Sequence, residues 1–145
     1  MTTPGKNPWH LWLVGILALL WMSGGMWDFI ATQSGYEPYL SQFSPQEREF
    51  FTDIPGWAVF FWGLSIGTGV LGTICLLLRS RFTVPLYWIS LVSFIIVSLQ
   101  NYVLATPTMA QVVGGFAVGF SVVIFAVIVL LLVYTMRMRT VGVLR

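Results

Sequence analysis

The stretch Leu11-Trp-Leu-Val-Gly-Ile-Leu-Ala-Leu-Leu-Trp-Met-Ser-Gly-Gly-Met-Trp-Asp-Phe-Ile30 decides the fold. A helix needs about 20 apolar residues to cross the hydrocarbon core of a bilayer, and this stretch supplies them. It is longer than the apolar core of about 7–15 residues in a cleaved signal peptide, and it lacks a clean Ala-x-Ala site. We therefore expect it to be retained as the first membrane span.

The composition of the whole chain places it in a membrane. Of the 145 residues, 57% are hydrophobic and only 8% are charged, whereas a soluble domain carries about 25% charged residues. So few charges cannot cover a surface that faces water, so we expect the lipid bilayer to be the main partner. The net charge of +2 indicates topology signals beside apolar spans and no nucleic-acid partner.

Three further spans follow from the distribution of charge. Residues 57–78 form an uncharged apolar stretch, and residues 82–136 contain no charge at all. Residues 82–136 are too many for one span. We place the break between two spans at Pro107, because proline disfavours helix for the residue before it. We predict an all-α, integral membrane four-helix bundle, a single domain over residues 1–145. Its spans are expected at about 11–30, 57–78, 84–104 and 112–134.

The connection between the first two spans, residues 32–56, is the one sizeable polar loop. Ser44-Pro45-Gln46-Glu47 has the pattern of a capping box with proline at the first helical position, which predicts a short helix. Phe50, Phe51 and Ile54 would share its apolar face. An amphipathic helix of this kind lies on the membrane surface, and the alternative is a loop that packs on the helix ends.

The orientation follows from the basic residues. The long loop is acidic, and the third-to-fourth turn has no charge. Because cytoplasmic segments are enriched in lysine and arginine, we predict that both termini are cytoplasmic and that the long loop is outside. The basic residues that lie on the predicted inner side are Lys6, Arg79, Arg81, Arg137, Arg139 and Arg145.

Glycines at helical spacing are candidates for helix packing. Gly63 and Gly67 lie four residues apart in the second span, and Gly115 and Gly119 repeat that spacing in the fourth. Small residues at this spacing allow a neighbouring helix to come close. We therefore predict helix contacts at these four positions.

A candidate polar site lies near the outer edge of the bilayer. Asp28 is the only carboxylate in any span, and Gln100 and Asn101 reach the same depth on the third span. Asp28 would need hydrogen-bond donors, and Gln100, Asn101, Tyr102 or Trp27 could supply them. We expect Asp28 to turn into the bundle and to accept a hydrogen bond from Asn101 or Gln100. One interpretation is a polar pocket in which Asp28 is a ligand contact or a proton site; the other is an interfacial residue that reaches water. A faint repeat, Asp28-Phe-Ile-Ala-Thr32 against Asn101-Tyr-Val-Leu-Ala-Thr106, would turn Asp28 and Asn101 towards the same axis.

We expect the other polar side chains of the spans to have structural roles and not catalytic ones. Ser90 and Ser93 share a stripe on the third span, which is typical of hydrogen bonds between helices. His10 and Cys75 are each the only residue of their type, so we expect no metal and no cofactor. No set of residues for nucleophilic catalysis is evident.

Several short motifs are similar to a family of small bacterial four-span membrane proteins. They are Trp9-His-Leu-Trp12-Leu-Val-Gly15, Trp27-Asp28-Phe29, Thr32-Gln33, and Gln46-Glu47 before Phe50-Phe51 and Trp57. The resemblance is best over the first three spans, and it implies the same architecture in a bacterial inner membrane. Some members carry the label "sugar transporter", which adds no mechanism.

The sequence supports two functional hypotheses. The first is a multi-pass inner-membrane protein without catalysis of its own, acting as an accessory or interaction subunit or as a helper of the cell envelope. It would work as a homo-oligomer or in a larger membrane complex. The alternative is a small-solute transporter or channel, built by oligomerisation around Asp28. An enzyme ranks third because the side chains it needs are missing.

Overall fold

Every element of regular secondary structure in residues 8–145, the part of the chain that the computed structural model describes, is helical. Four long helices are apolar enough to cross a membrane. The prediction of an all-α, multi-pass membrane bundle is thereby confirmed, and Lys6 lies outside the described residues. The elements are α1 (Trp9–Gln33), α2 (Glu37–Leu40), α3 (Pro45–Thr52), α4 (Gly56–Leu77), α5 (Thr83–Leu99, continued by a π-helical turn at Gln100–Leu104), α6 (Met109–Val112) and α7 (Gly115–Thr140).

The outside of the bundle is apolar. Large hydrophobic side chains on all four long helices are more than half exposed, among them Leu20, Phe60, Val103, Phe116 and Leu130. A water-soluble protein does not expose a contiguous apolar surface of this extent. Lipid is therefore the natural surrounding of these helices.

The fourth long helix begins later and ends later than the sequence predicted. Met109–Val112 forms the separate short helix α6, and Thr108 caps it by accepting a hydrogen bond from the backbone N–H of Gln111. Gly114 then adopts a φ of +91°, which interrupts the helix and favours glycine. The sequence placed this span at about 112–134, and in the structure α7 runs from Gly115 to Thr140.

The centre of the bundle is the hairpin of α4 and α5, which share the most extensive contact; α1 packs on α4, and α7 packs on α5. Ser65 and Ser90 join the two helices of the hairpin by reciprocal hydrogen bonds. The Ser65 hydroxyl donates to the Ser90 carbonyl at 3.0 Å, and the Ser90 hydroxyl donates to the Ser65 carbonyl at 2.7 Å. The prediction that Ser90 joins helices is confirmed.

Tyr87 fills the space between α4 and α5 towards their short connection. It is fully buried, and its hydroxyl lies 2.7 Å from the Thr73 hydroxyl. Thr73 uses its own proton to donate to the Gly69 carbonyl at 2.8 Å, so Tyr87 is the donor to Thr73. The ring lies against Gly72, where a Cβ would be 3.2 Å from it.

The predicted glycine contacts are only partly present. A Cβ at Gly63 would meet the Phe29 ring of α1 at 3.0 Å, so this glycine does lie at a helix contact. At Gly67, Gly115 and Gly119 a Cβ would meet no heavy atom within 4 Å, so the prediction was wrong for contacts within the chain. The close approach to α5 occurs instead at Gly72, on a different face of α4, because the Tyr87 ring occupies the space there.

We expect Gly72→Leu to lower the stability of the protein in detergent by about 1–3 kcal/mol, because the added side chain collides with the fixed Tyr87 ring. Thermal unfolding followed by circular dichroism measures the change. Gly67→Leu is the matched control, since it makes the same substitution in the same helix where the space is open. Equal losses of stability in the two variants would contradict this packing.

Candidate functional site

The bundle has two different ends. The end that carries residues 8–10 and the tail after α7 is called the termini end here, and the end that carries residues 34–55 is called the loop end. At the termini end α1 and α7 are joined, since the His10 ring lies 2.7 Å from the Tyr134 hydroxyl. The tail is held too: the Arg81 N–H donates to the Arg145 carbonyl at 2.7 Å. This end of the bundle is closed.

At the loop end a cavity of about 770 Å³ lies among α1, α4, α5 and α7, and residues of the long loop line it. Its walls are mostly apolar and rich in aromatic side chains. Trp21 of α1 lies 6.0 Å from Phe120 of α7, and Phe116 stacks on Phe120 at 6.0 Å. Gly24 and Gly25 of α1 also line the cavity, so the absence of side chains there leaves part of its volume open.

Hydrogen-bond acceptors lie together in the cavity wall at the loop end. Asp28, Glu47 and Asn101 all line the cavity. Asp28 accepts a hydrogen bond from the hydroxyl of Tyr39 in α2. Asn101, one of the two expected partners of Asp28, would donate to it through the amide N–H, but the hydrogen bond that Asp28 accepts among the described residues comes from Tyr39. The buried Oδ1 of Asn101 has no hydrogen-bond partner among them. The prediction that both side chains turn to the same axis agrees with this arrangement, and the predicted bond between them was wrong.

Tyr39 is the residue of the site that the sequence reasoning missed. Burial and the neighbouring Asp28 raise the pKa of the Tyr39 phenol far above its usual value, so it stays a proton donor at physiological pH. Trp27, which we expected to contact Asp28, instead packs edge-to-face on Tyr36 and Tyr39 at 5.6 and 6.2 Å. The sequence pattern that could have pointed to Tyr39 is the helical spacing of aromatic and apolar residues at Tyr36, Tyr39, Leu40 and Phe43. This spacing predicts a shared helical face, but it does not show which part of the protein that face contacts.

The π-helical turn at the end of α5 shapes another wall of the cavity. It closes with a hydrogen bond of 2.8 Å from the Ala105 N–H to the Gln100 carbonyl. Gln100, a predicted site residue, is buried but does not line the cavity. The Tyr102 hydroxyl donates to the Ala117 carbonyl at 2.9 Å and lies 2.6 Å from the Ser121 hydroxyl. Tyr102 therefore fixes α5 to α7 at the loop end.

The long loop forms a lid over the cavity. The predicted capping box is present: the Ser44 hydroxyl accepts from the Glu47 N–H at 3.2 Å, and Glu47 accepts from the Ser44 N–H at 3.0 Å. The apolar residues Phe43, Phe51 and Ile54 line the cavity. The loop thus contains the predicted helix and packs on the helix ends, while its position on a membrane surface stays a prediction.

An exposed ion pair ties the two short helices of the lid together on its outer surface. Arg48 of α3 pairs with Glu37 of α2, and the hydrogen bond from Arg48 lowers the pKa of Glu37. Of the lysines and arginines in residues 8–145, none lines the cavity. Arg48 is thus paired with Glu37 and is not among the residues that line the cavity.

No group of three or more histidine, cysteine, aspartate or glutamate residues in the range 8–145 is placed to hold a metal ion. What the described residues form is a membrane helix bundle with a lidded, mostly apolar cavity and acceptors at one end. Comparisons with models of protein families, with curated proteins and with solved structures find no match. Any proposal for the function of this protein therefore depends on the geometry of this site.

Proposed function

We propose that this chain is a protein of the bacterial inner membrane, without catalysis of its own, that binds an amphipathic molecule in the cavity under the lid. The cavity is the observation that carries this proposal. Its volume of about 770 Å³ lies within the range of small-molecule sites, about 300–1,000 Å³. Apolar walls suit the body of such a molecule, and Asp28, Glu47 and Asn101 suit its polar end.

The positions of the charges support an orientation with the cavity in the outer half of the bilayer. Arginines 79, 81, 137, 139 and 145 cluster at the termini end, and the loop end carries most of the carboxylates. Basic residues favour the cytoplasmic side. Both termini would then be cytoplasmic, and the lid would face outwards.

We expect a reporter enzyme that works only outside the cytoplasm to be active when fused after Gln42 and inactive when fused after Ser80. A fusion after Arg145 should also be inactive, since it would leave the reporter on the basic side of the membrane. The Gln42 and Ser80 fusions serve as controls for each other. Activity after Ser80 would contradict the orientation.

An accessory role in a larger assembly agrees with the open glycine surface. A Cβ at Gly67, Gly115 or Gly119 would meet nothing else in the described part of the chain within 4 Å, and the spacing of these glycines suits the close approach of a second helix. A second copy of the chain or a helix of another membrane protein would fill this space. The cavity would then serve the assembly as its ligand-binding part.

A solute transporter or channel is the weaker alternative. The cavity reaches inwards only to the level of Ser65, Ser90 and Ile128. Beyond it the described part of the bundle is closed by packed apolar side chains around Tyr87 and Leu11, both fully buried. Residues 8–145 of a single chain therefore form no continuous polar path, which favours binding over conduction.

Photo-crosslinking with a neutral alkyl alcohol that carries a diazirine tests the binding function. In lipid nanodiscs we expect saturable labelling near Val97, which is buried and lines the cavity. Unlabelled long-chain alcohol should compete for that labelling. Leu130, which is 69% exposed, reports on surrounding lipid and should be labelled without saturation. If labelling near Val97 is absent, or rises without saturation as at Leu130, the proposed function is wrong.

A further inference from the structure

The described residues that line the cavity include two carboxylates and an unpaired amide oxygen, but no lysine or arginine. Two carboxylates, of Asp28 and Glu47, and the Oδ1 atom of Asn101 line it. Tyr39 donates to Asp28, the backbone N–H of Ser44 donates to Glu47, and Asn101 Oδ1 lacks a partner. The wall therefore has free capacity to accept hydrogen bonds.

A carboxylate in a mostly apolar cavity is costly unless a positive charge or several donors compensate it. The one arginine of the lid, Arg48, is held by Glu37 on the exposed surface. Among residues 8–145, no lysine or arginine lines the cavity, so the described part of the chain supplies no cation to the Asp28 carboxylate. A bound molecule with a positive charge would supply it.

The aromatic walls favour the same kind of ligand. Trp21, Phe43, Phe116 and Phe120 line the cavity together with the acceptors. The face of an aromatic ring attracts a cation within about 6 Å, and the attraction is stronger where water is excluded. The same rings also accommodate an apolar body by dispersion.

The geometry points to a lipophilic cation as the ligand: an ammonium or other onium group attached to an apolar body. The charged group would lie beside Asp28 and Glu47, and the apolar body would lie among the aromatic side chains. This inference rests on the proposed function, since it specifies the chemical class of the molecule that the cavity binds.

Tetraphenylphosphonium and tetraphenylborate test the inference, because they share a shape and differ in the sign of their charge. In nanodiscs of phosphatidylcholine, tetraphenylphosphonium should displace the diazirine alcohol from the Val97 region, and tetraphenylborate should not. Equilibrium dialysis should show that Asp28→Asn weakens the binding of tetraphenylphosphonium at least tenfold. The amide oxygen can still accept from Tyr39, so this variant is expected to fold.

Asp53→Asn is the matched control, because Asp53 is exposed and does not line the cavity; it should bind as the parent does. Glu47→Gln is a second test that does not depend on Asp28. Glutamine also completes a capping box, and the loss of its charge should weaken binding several-fold.

The outcomes separate the two proposals. Saturable labelling that both ions displace equally, or cation binding unchanged in Asp28→Asn and Glu47→Gln, would overturn the cation and leave the binding function standing. Labelling near Val97 that no competitor reduces would overturn both.

Discussion

Gly25→Trp is expected to abolish saturable labelling of the cavity. Gly25 lines the cavity between Trp21 and Asp28 on α1, and a Cβ there would meet only Ile66, at the ordinary contact distance of 4.0 Å. An indole at this position therefore has room to enter the cavity and to occupy the space of the ligand. The loss of labelling near Val97, measured by mass spectrometry, would be complete and not graded.

Gly67→Trp is the control for this variant. It places the same side chain in a membrane-spanning helix, at a position where a Cβ would meet no other part of the described chain within 4 Å. Gly67 does not line the cavity. Labelling near Val97 should persist in this control. If Gly25→Trp folds and still shows the saturable labelling of the parent, the ligand is not bound in the cavity.

Tyr87→Ala is expected to cause the largest loss of stability, about 3 kcal/mol or more, because it removes a fully buried aromatic ring and leaves a void. The ring packs against Gly72 and holds Thr73, so the contact between α4 and α5 would weaken. Unfolding by a denaturing detergent, followed by circular dichroism, gives the difference. Tyr87→Phe keeps the ring and should cost only about 0.6 kcal/mol, the average for a hydrogen bond between membrane helices.

Trp88→Ala is the control for the tyrosine. The substitution also removes a large aromatic side chain, one residue further along α5, from a position that is 46% exposed. Its stability should stay close to that of the parent, because lipid replaces the lost contacts. A loss as large as that of Tyr87→Ala would mean that α5 is rotated relative to this structure.

The membrane architecture could be predicted because it follows from quantities that a sequence contains directly. Uncharged stretches of sufficient length define the spans, and Pro107 divides the longest one. The capping box at Ser44 was equally predictable, since a cap depends on residues within one turn. These features depend on residues close together in the sequence, so tertiary packing has little influence on them.

The contacts of the site could not be predicted in the same way. The bond between Tyr39 and Asp28 depends on how the lid folds back over α1, and helical spacing alone does not set that direction. The contact at Gly72 depends on which face of α4 meets Tyr87. The Gly-x-x-x-Gly spacing at Gly63 showed where a close approach was sterically allowed, and packing decided where it occurs.

The cavity itself left no pattern in the sequence. A void is set by which helices diverge and by how far the side chains between them reach, and both are properties of the folded chain. The π-helical turn at Gln100–Leu104 is a further example, since no residue in it marks the change of hydrogen bonding. Gly24 and Gly25 help to keep the cavity open, but the sequence alone shows them only as small residues in an apolar span.

An experimental structure of the protein in nanodiscs with the diazirine alcohol bound tests the central claim most directly. The expected result is density for the alkyl chain among α1, α5 and α7, with its hydroxyl within about 3.5 Å of the Asp28 carboxylate, the Glu47 carboxylate or the Asn101 amide oxygen. The lid should cover the bound molecule. An empty or collapsed cavity, with the alcohol ordered only on the lipid-facing surface of the bundle, would contradict the claim.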